Sequence, residues 1–183
     1  MQQQTRKLIL ISLLSAIGFI LMFIKFPIPF LPPYLTLDFS DVPALFATFT
    51  FGPFVGIIVA FIKNLLNFLF NVGDPVGPFA NFLAATSFIV TFYYATKYKT
   101  QTKSLIIGAI AGTLVMTIVL SVLNYFLLLP LYGMIMNLTD VVKNIKVIIV
   151  SGVVPFNLIK GLLVSLVFIL LFKRLKHVLI KDA

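Results

Sequence analysis

The stretch "FGPFVG", residues 51 to 56, decides how this chain is counted. It interrupts an uncharged run from residue 42 to 62, and the topology depends on whether that run is one overlong helix or two. Gly52, Pro53 and Gly56 punctuate it. Proline cannot donate into the preceding helical turn and glycine frees the backbone, so the sequence predicts a break here with a separate helix on each side.

The surrounding composition leaves little choice of solvent. Of 183 residues, 61% are hydrophobic and 10% charged, too little polar surface to cover a water-soluble globule of this size. Uncharged stretches at 42 to 62, 75 to 96 and 104 to 139 can each cross about 30 Å of hydrocarbon at roughly 1.5 Å per residue. Segments such as "LIIGAIAGTLVMTIVLSVLNYFLLL" lack the alternation of a transmembrane barrel strand. The chain therefore reads as an all-α integral membrane protein, a single domain over residues 1 to 183. Spans are expected near 6–26, 40–52, 53–71, 79–97, 103–127 and 147–173. The second is short for a full crossing, so it is either tilted or begins below the outer surface.

The net charge of +9 reports topology rather than nucleic acid. Nine of the fourteen basic residues fall in three clusters: Arg6 and Lys7; Lys97, Lys99 and Lys103; and Lys173, Arg174, Lys176 and Lys181. The positive-inside rule makes all three cytoplasmic. The intervening loops, with Lys25, Lys143, Lys146, Asp38, Asp41, Asp74 and Asp140, then face outward. Both termini are cytoplasmic on this reading, which requires an even number of spans and so favours six over five. The N-terminal apolar stretch superficially resembles a signal peptide, but it is as long as a span and lacks a small-residue cleavage site, so it reads as the first helix.

Polar side chains at membrane depth cost roughly 2.5 to 3.5 kcal/mol for a central lysine and need an account. In "PFNLIKG", residues 155 to 161, Lys160 is the only charge between residues 147 and 172, with Asn157 one turn away on the same face. Asn124 lies near the outer end of the fifth span, Asn64 and Asn67 in the outer half of the third, and Asn81 at the outer start of the fourth. This placement predicts a polar cavity open to the outside, with amide donors and acceptors and a lysine suited to a neutral heterocycle or a carboxylate. The plainer alternative is that Asn124 and Asn157 glue helices together. Lys63 reads either as a second pocket cation or as the partner of Asp38 or Asp41. The first outer loop carries Pro27, Pro29, Pro32 and Pro33, which stiffen it as a roof. "NVGDPVGP", residues 71 to 78, is either a connector or a ligand-contacting turn. "DFSD" at 38 to 41 is expected to cap the second helix.

On the first span Ser12, Ser15, Ala16 and Gly18 form a run of small residues, with Ser12 and Ala16 at the spacing that lets a helix approach closely, from within or from a separate subunit. There are no cysteines, so no disulfide and no thiolate metal site. The single histidine, His177, lies in the basic tail, and phosphate-loop, zinc-protease and serine-hydrolase motifs are absent. No catalytic residue, metal site or cofactor is expected, and the chain does not read as an enzyme.

"FPIPFLPPYLTLDFSDVPALFA", "FGPFVGIIVAFIKNLLNF", "SVLNYFLLLPLY" and "VVPFNLIKGLLVSLVF" together resemble the riboflavin-specific S components of energy-coupling factor vitamin transporters, over about residues 7 to 176. The resemblance implies six helices in a bacterial plasma membrane, with riboflavin as transported ligand rather than cofactor. It implies that Asn124, Asn157 and Lys160 bond the pyrimidine-like edge of the flavin and that Tyr34, Leu37 and Phe39 cover its face. Asn81 or the turn with Gly77 and Phe79 would meet the ribityl chain. It also implies two kinds of partner, a transmembrane coupling subunit and two ABC-type ATPases, docked through Ser12 and Ala16 where other members usually show two alanines. An S component for another vitamin, a membrane-embedded lipid-modifying enzyme and an ion channel remain as alternatives; the last two lack the gathered carboxylates, histidines or charged rings they would need.

Overall fold

In the computed structural model the described residues are 2–32, 35–71, 73–97, 99–135 and 144–179. Helix α1 (Gln2–Leu21) leads into a connection holding a two-residue antiparallel pair, β1 (Phe26–Pro27) and β2 (Thr36–Leu37). Then come α2 (Asp41–Phe51), α3 (Pro53–Phe70) and α4 (Val76–Ala95). α5 (Thr102–Leu123) runs through a π-helical turn (Asn124–Leu128) into α6 (Leu129–Ile135). α7 (Ile145–Ile148) passes through a second π turn (Ile149–Val153) into α8 (Val154–Leu179). Five continuous segments are long and apolar enough to cross a membrane, and α2 is a shorter apolar helix, so six helical units form the bundle. The small β pair is the one departure from an all-α reading.

The predicted break is present and has a clear cause. Gly52 adopts φ 95°, open to glycine but strained for other residues, and Pro53 opens α3 where its missing N–H costs nothing. The chain then folds back so tightly that a Cβ on Gly56 would lie 2.9 Å from the Ala44 carbonyl oxygen. Glycine is required there for α2 and α3 to touch. α2 spans only about 16 Å, and every residue from Asp41 to Thr48 is buried, so it is a short helix enclosed by its neighbours.

The two π turns were not expected, and the first explains why the fifth span runs past its predicted end at residue 127. Each precedes a proline: Pro130 follows the first, and Pro155 the second. Proline offers no N–H and its ring crowds the carbonyl four residues back. Widening the turn before it, so that Leu129 N–H reaches Asn124 O and Val154 N–H reaches Ile149 O, lets the helix continue. The segments therefore run from Thr102 to Ile135 and from Ile145 to Leu175 at membrane-compatible hydropathy.

At one end of the bundle Phe46, Phe49, Phe88, Phe92, Phe168 and Phe172 pack ring against ring, with neighbouring centroids 5.1 to 6.0 Å apart. Gly108 and Gly112 allow α5 to close against Phe92 and Phe88. The other end is polar.

Candidate functional site

Beneath the first connection lie two lysines and two aspartates. Lys63, on α3 and fully buried, places Nζ 2.6 Å from Asp41 Oδ1 and also donates to Ser40 Oγ. Asp38 Oδ1 accepts the Ser40 N–H at 2.9 Å and the Ser40 hydroxyl. Lys160, on α8, donates to Asn81 Oδ1 at 2.7 Å, with Asp41 Oδ2 at 3.4 Å and Asp38 Oδ2 at 3.7 Å. The formal charges cancel, which is the condition under which such a group tolerates burial. Burial pushes the Asp38 carboxyl up, but Lys160, Lys63 and the bonds from Ser40 outweigh it and hold the group below its ordinary range.

These contacts bear on two expectations. "DFSD" does not cap α2 through the Ser40 side chain; Asp38 Oδ1 accepts the Ser40 N–H at the helix start, while Asp41 turns to the buried Lys63. Lys160 has the counter-ions that its depth called for, its ammonium facing an amide and two carboxylates. For Lys63, partnership with Asp41 is the reading that the structure bears out.

Next to the cluster is a cavity of about 150 Å³, lined by Asp38 and Lys160 and by residues of the connections before α2 and α4. Gly77 and Asn81 of α4, Asn124 at the first π turn, and Asn157 and Lys160 of α8 all line it. Asn124 donates Nδ2 to Leu120 O at 2.7 Å and Asn157 to Val153 O at 2.8 Å. Among the described residues neither side chain hydrogen-bonds to another helix. Each leaves its Oδ1 as an acceptor on the cavity wall. Asn81 is half committed, its Oδ1 taken by Lys160 and its Nδ2 left over.

Leu37, Phe39 and Phe79 do not line this cavity. Leu37 is buried beneath β2, and strand alternation turns its neighbour Thr36 to the cavity instead. Phe39 packs on the core and against Phe26, with centroids 6.2 Å apart. Phe79 is 46% exposed and lines a separate apolar groove with Phe61 and Phe82. Tyr34 lies outside the described residues. Asn67, named with the outer-half asparagines, and Asn71 and Asp74 of the 71–78 turn also line it, and so does Tyr132, which the sequence does not single out. The Oδ1 of Asn67 is buried with no partner, an acceptor awaiting a donor. Its place among the outer-half asparagines was the available signal; Tyr132 carried none, because its contact spans 58 residues.

On α1, Ser12 and Ala16 are exposed, whereas Ser15 and Gly18 turn inward. A Cβ on Gly18 would lie 3.2 Å from Lys63 Cδ, so this glycine makes room for the buried lysine.

A family model described as "ECF transporter, substrate-specific component" matches residues 6–172. The chain is 70% identical over 177 residues to a riboflavin transporter named RibU from Staphylococcus aureus, covering 97% of this chain and 94% of that one. It is 43% identical to a riboflavin transporter named FmnP from Bacillus subtilis, covering 94% and 93%. A solved structure, "Structure and mechanism of the S component of a bacterial ECF transporter", superposes with a TM-score of 0.84 at 67% identity, covering 96% of this chain and 98% of that chain.

Proposed function

Because the chain belongs to the substrate-specific components of ECF transporters, we propose that it captures riboflavin from outside the cell for an ATP-driven uptake complex. The observation that carries this reading is the cavity itself. Amides from α4, α5 and α8 converge on it, and a neutral ion cluster closes its floor. The Asn124 and Asn157 carbonyls can accept the ring N–H of a flavin, and the free amide hydrogens of Asn81 can meet its carbonyl oxygens. Lost edge contacts would leave buried polar groups unpaired at about 1–3 kcal/mol each, which is how such a site selects its ligand. Both relatives described above are named as riboflavin transporters, which supports this vitamin over another.

The layout favours an outward-facing cavity and cytoplasmic termini. Lys7 stands 5.8 Å from the Phe51 ring, at the end of α2 remote from Asp41 and the cavity. The other basic clusters, between α4 and α5 and at the end of α8, share that remote end. As a multi-pass membrane protein of this family the chain is a transport component and not an enzyme. Release to the inside then depends on a transmembrane coupling subunit and two ABC-type ATPases, and the exposed Ser12 and Ala16 face supports docking along α1.

A visible spectrum of the detergent-purified protein, followed by riboflavin titration after the flavin is stripped, tests the ligand. A bound yellow chromophore that rebinds stoichiometrically is expected. A colourless protein that leaves riboflavin fluorescence unchanged on titration would overturn the reading.

A further inference from the structure

Asp74 stands apart from the other carboxylates of the cavity. Asp38 and Asp41 are neutralised within the ion cluster, whereas among the described residues no lysine or arginine pairs with Asp74. Its Oδ1 accepts the N–H of Val76 at 3.1 Å and of Gly77 at 2.8 Å, and its Oδ2 accepts the hydroxyl of Tyr132 at 3.0 Å. A Cβ on Gly77 would lie 2.4 Å from Asp74 Oδ2 and 3.3 Å from the Tyr132 oxygen, so glycine keeps that seat open. The carboxylate is thus held by α4 on one side and α6 on the other, and it lines the cavity. A carboxylate has about four lone-pair sites, and protein donors use three.

Its height along the cavity decides what it meets. Tyr132 follows Asn124 along the continuous helical segment by roughly 12 Å at 1.5 Å per residue. A flavin whose ring edge is at Asn124 and Asn157 therefore brings its polyol chain, not its ring, toward Asp74.

Resting on the riboflavin reading, we propose that Asp74 is a specificity residue: it accepts a hydroxyl of the polyol chain and disfavours the phosphorylated form of the same vitamin. A phosphate monoester carries about −1.5 to −2 charge at neutral pH and would face an uncompensated carboxylate. Lys25, the other charged lining residue outside the cluster, is exposed and acts in the opposite direction.

The test titrates purified protein with riboflavin, riboflavin 5′-phosphate and lumiflavin, which has the ring but no polyol chain. Wild-type protein should prefer riboflavin to its phosphate. Asp74→Asn keeps the acceptor for Val76 and Gly77 and removes the charge. It should shrink that preference by about tenfold, the scale of one charge at a wet site, with a smaller change at high salt. Lys25→Gln should widen the preference. Lumiflavin affinity should stay the same in Asp74→Asn, which a merely structural role would not allow. An unchanged preference in Asp74→Asn, or a parallel loss of lumiflavin binding, would overturn the inference. Failure of wild-type protein to bind riboflavin would overturn the ligand reading first and this inference with it.

Discussion

α4 and α8 each carry two chemistries. At the cavity end they present Asn81, Asn157 and Lys160; at the other end the same helices present Phe88, Phe92, Phe168 and Phe172. The aromatic end is apolar in its core, where the rings pack on one another and on aliphatic neighbours, with Tyr93 against Phe49. The polar end holds the four charges of the buried cluster, most of the cavity amides and the proline-rich connection. The contrast separates two ways of holding helices together in lipid. Bilayer tails are as apolar as phenylalanine, so burying the rings gains packing and little transfer energy. A buried ion cluster, by contrast, has no alternative partner in lipid, and its geometry places the connection and α2 against α3 and α8. The aromatic end supports the bundle; the polar end specifies where the cavity walls stand.

Breaking the polar end should cost more than breaking the aromatic one. Lys63→Met leaves Asp41 without its nearest cation and should lower stability by about 3–5 kcal/mol, read as a fall in the unfolding midpoint in detergent. Phe168→Ala removes a ring packed 5.2 Å from both Phe46 and Phe49, centroid to centroid. With the transfer term largely absent, the loss should be about 2 kcal/mol, and riboflavin affinity of the folded fraction should not change. Asn81→Ala strips Lys160 of its closest acceptor and should cost about 1 kcal/mol of stability while also weakening binding. If Phe168→Ala proves the more damaging of the first two, the division between the ends is wrong.

The smallest effect concerns acid. The Asp38 carboxyl is depressed in the folded protein, so its contribution is present above the unfolded value of about 3.9 and disappears only as pH falls through the lower folded value. Thermal midpoints should therefore show no pH dependence from Asp38 between pH 7 and pH 5 and a decline below about pH 4. Asp38→Asn should flatten that acid decline.

Much of this architecture was legible because it rests on local chemistry. Gly52 and Pro53 announce the α2–α3 break wherever they occur in an apolar run, and a lysine at membrane depth announces a partner. The polar cavity followed from Asn81, Asn124, Asn157 and Lys160 lying on one side of the midplane. What stayed hidden depends on contacts made only in the folded chain. Pro130 lies beyond the expected end of the fifth span and Pro155 inside the sixth, and the π turn ahead of each, which carries the helix on, leaves no mark in the sequence pattern. "DFSD" has the composition of a cap, and Asp38 does accept the Ser40 N–H, but both carboxylates also face buried lysines, a pairing only the folded chain reveals. Asp74 looked like a turn residue until Tyr132 arrived from α6. The resemblance assigns Leu37 and Phe39 to the ring face and Phe79 to the ribityl chain; Leu37 is buried, Phe39 packs on the core, and Phe79 lines a separate groove.

The claim on which the rest depends is that the cavity asparagines, not the ion cluster alone, recognise the flavin. Fluorescence titration of riboflavin against the Asn124→Ala/Asn157→Ala double variant measures this directly. With neither side chain bonded to another helix, the variant should keep its unfolding midpoint within about 1 °C and lose affinity by about a hundredfold or more, roughly 1–3 kcal/mol per lost contact. Wild-type affinity in a folded double variant would contradict the account.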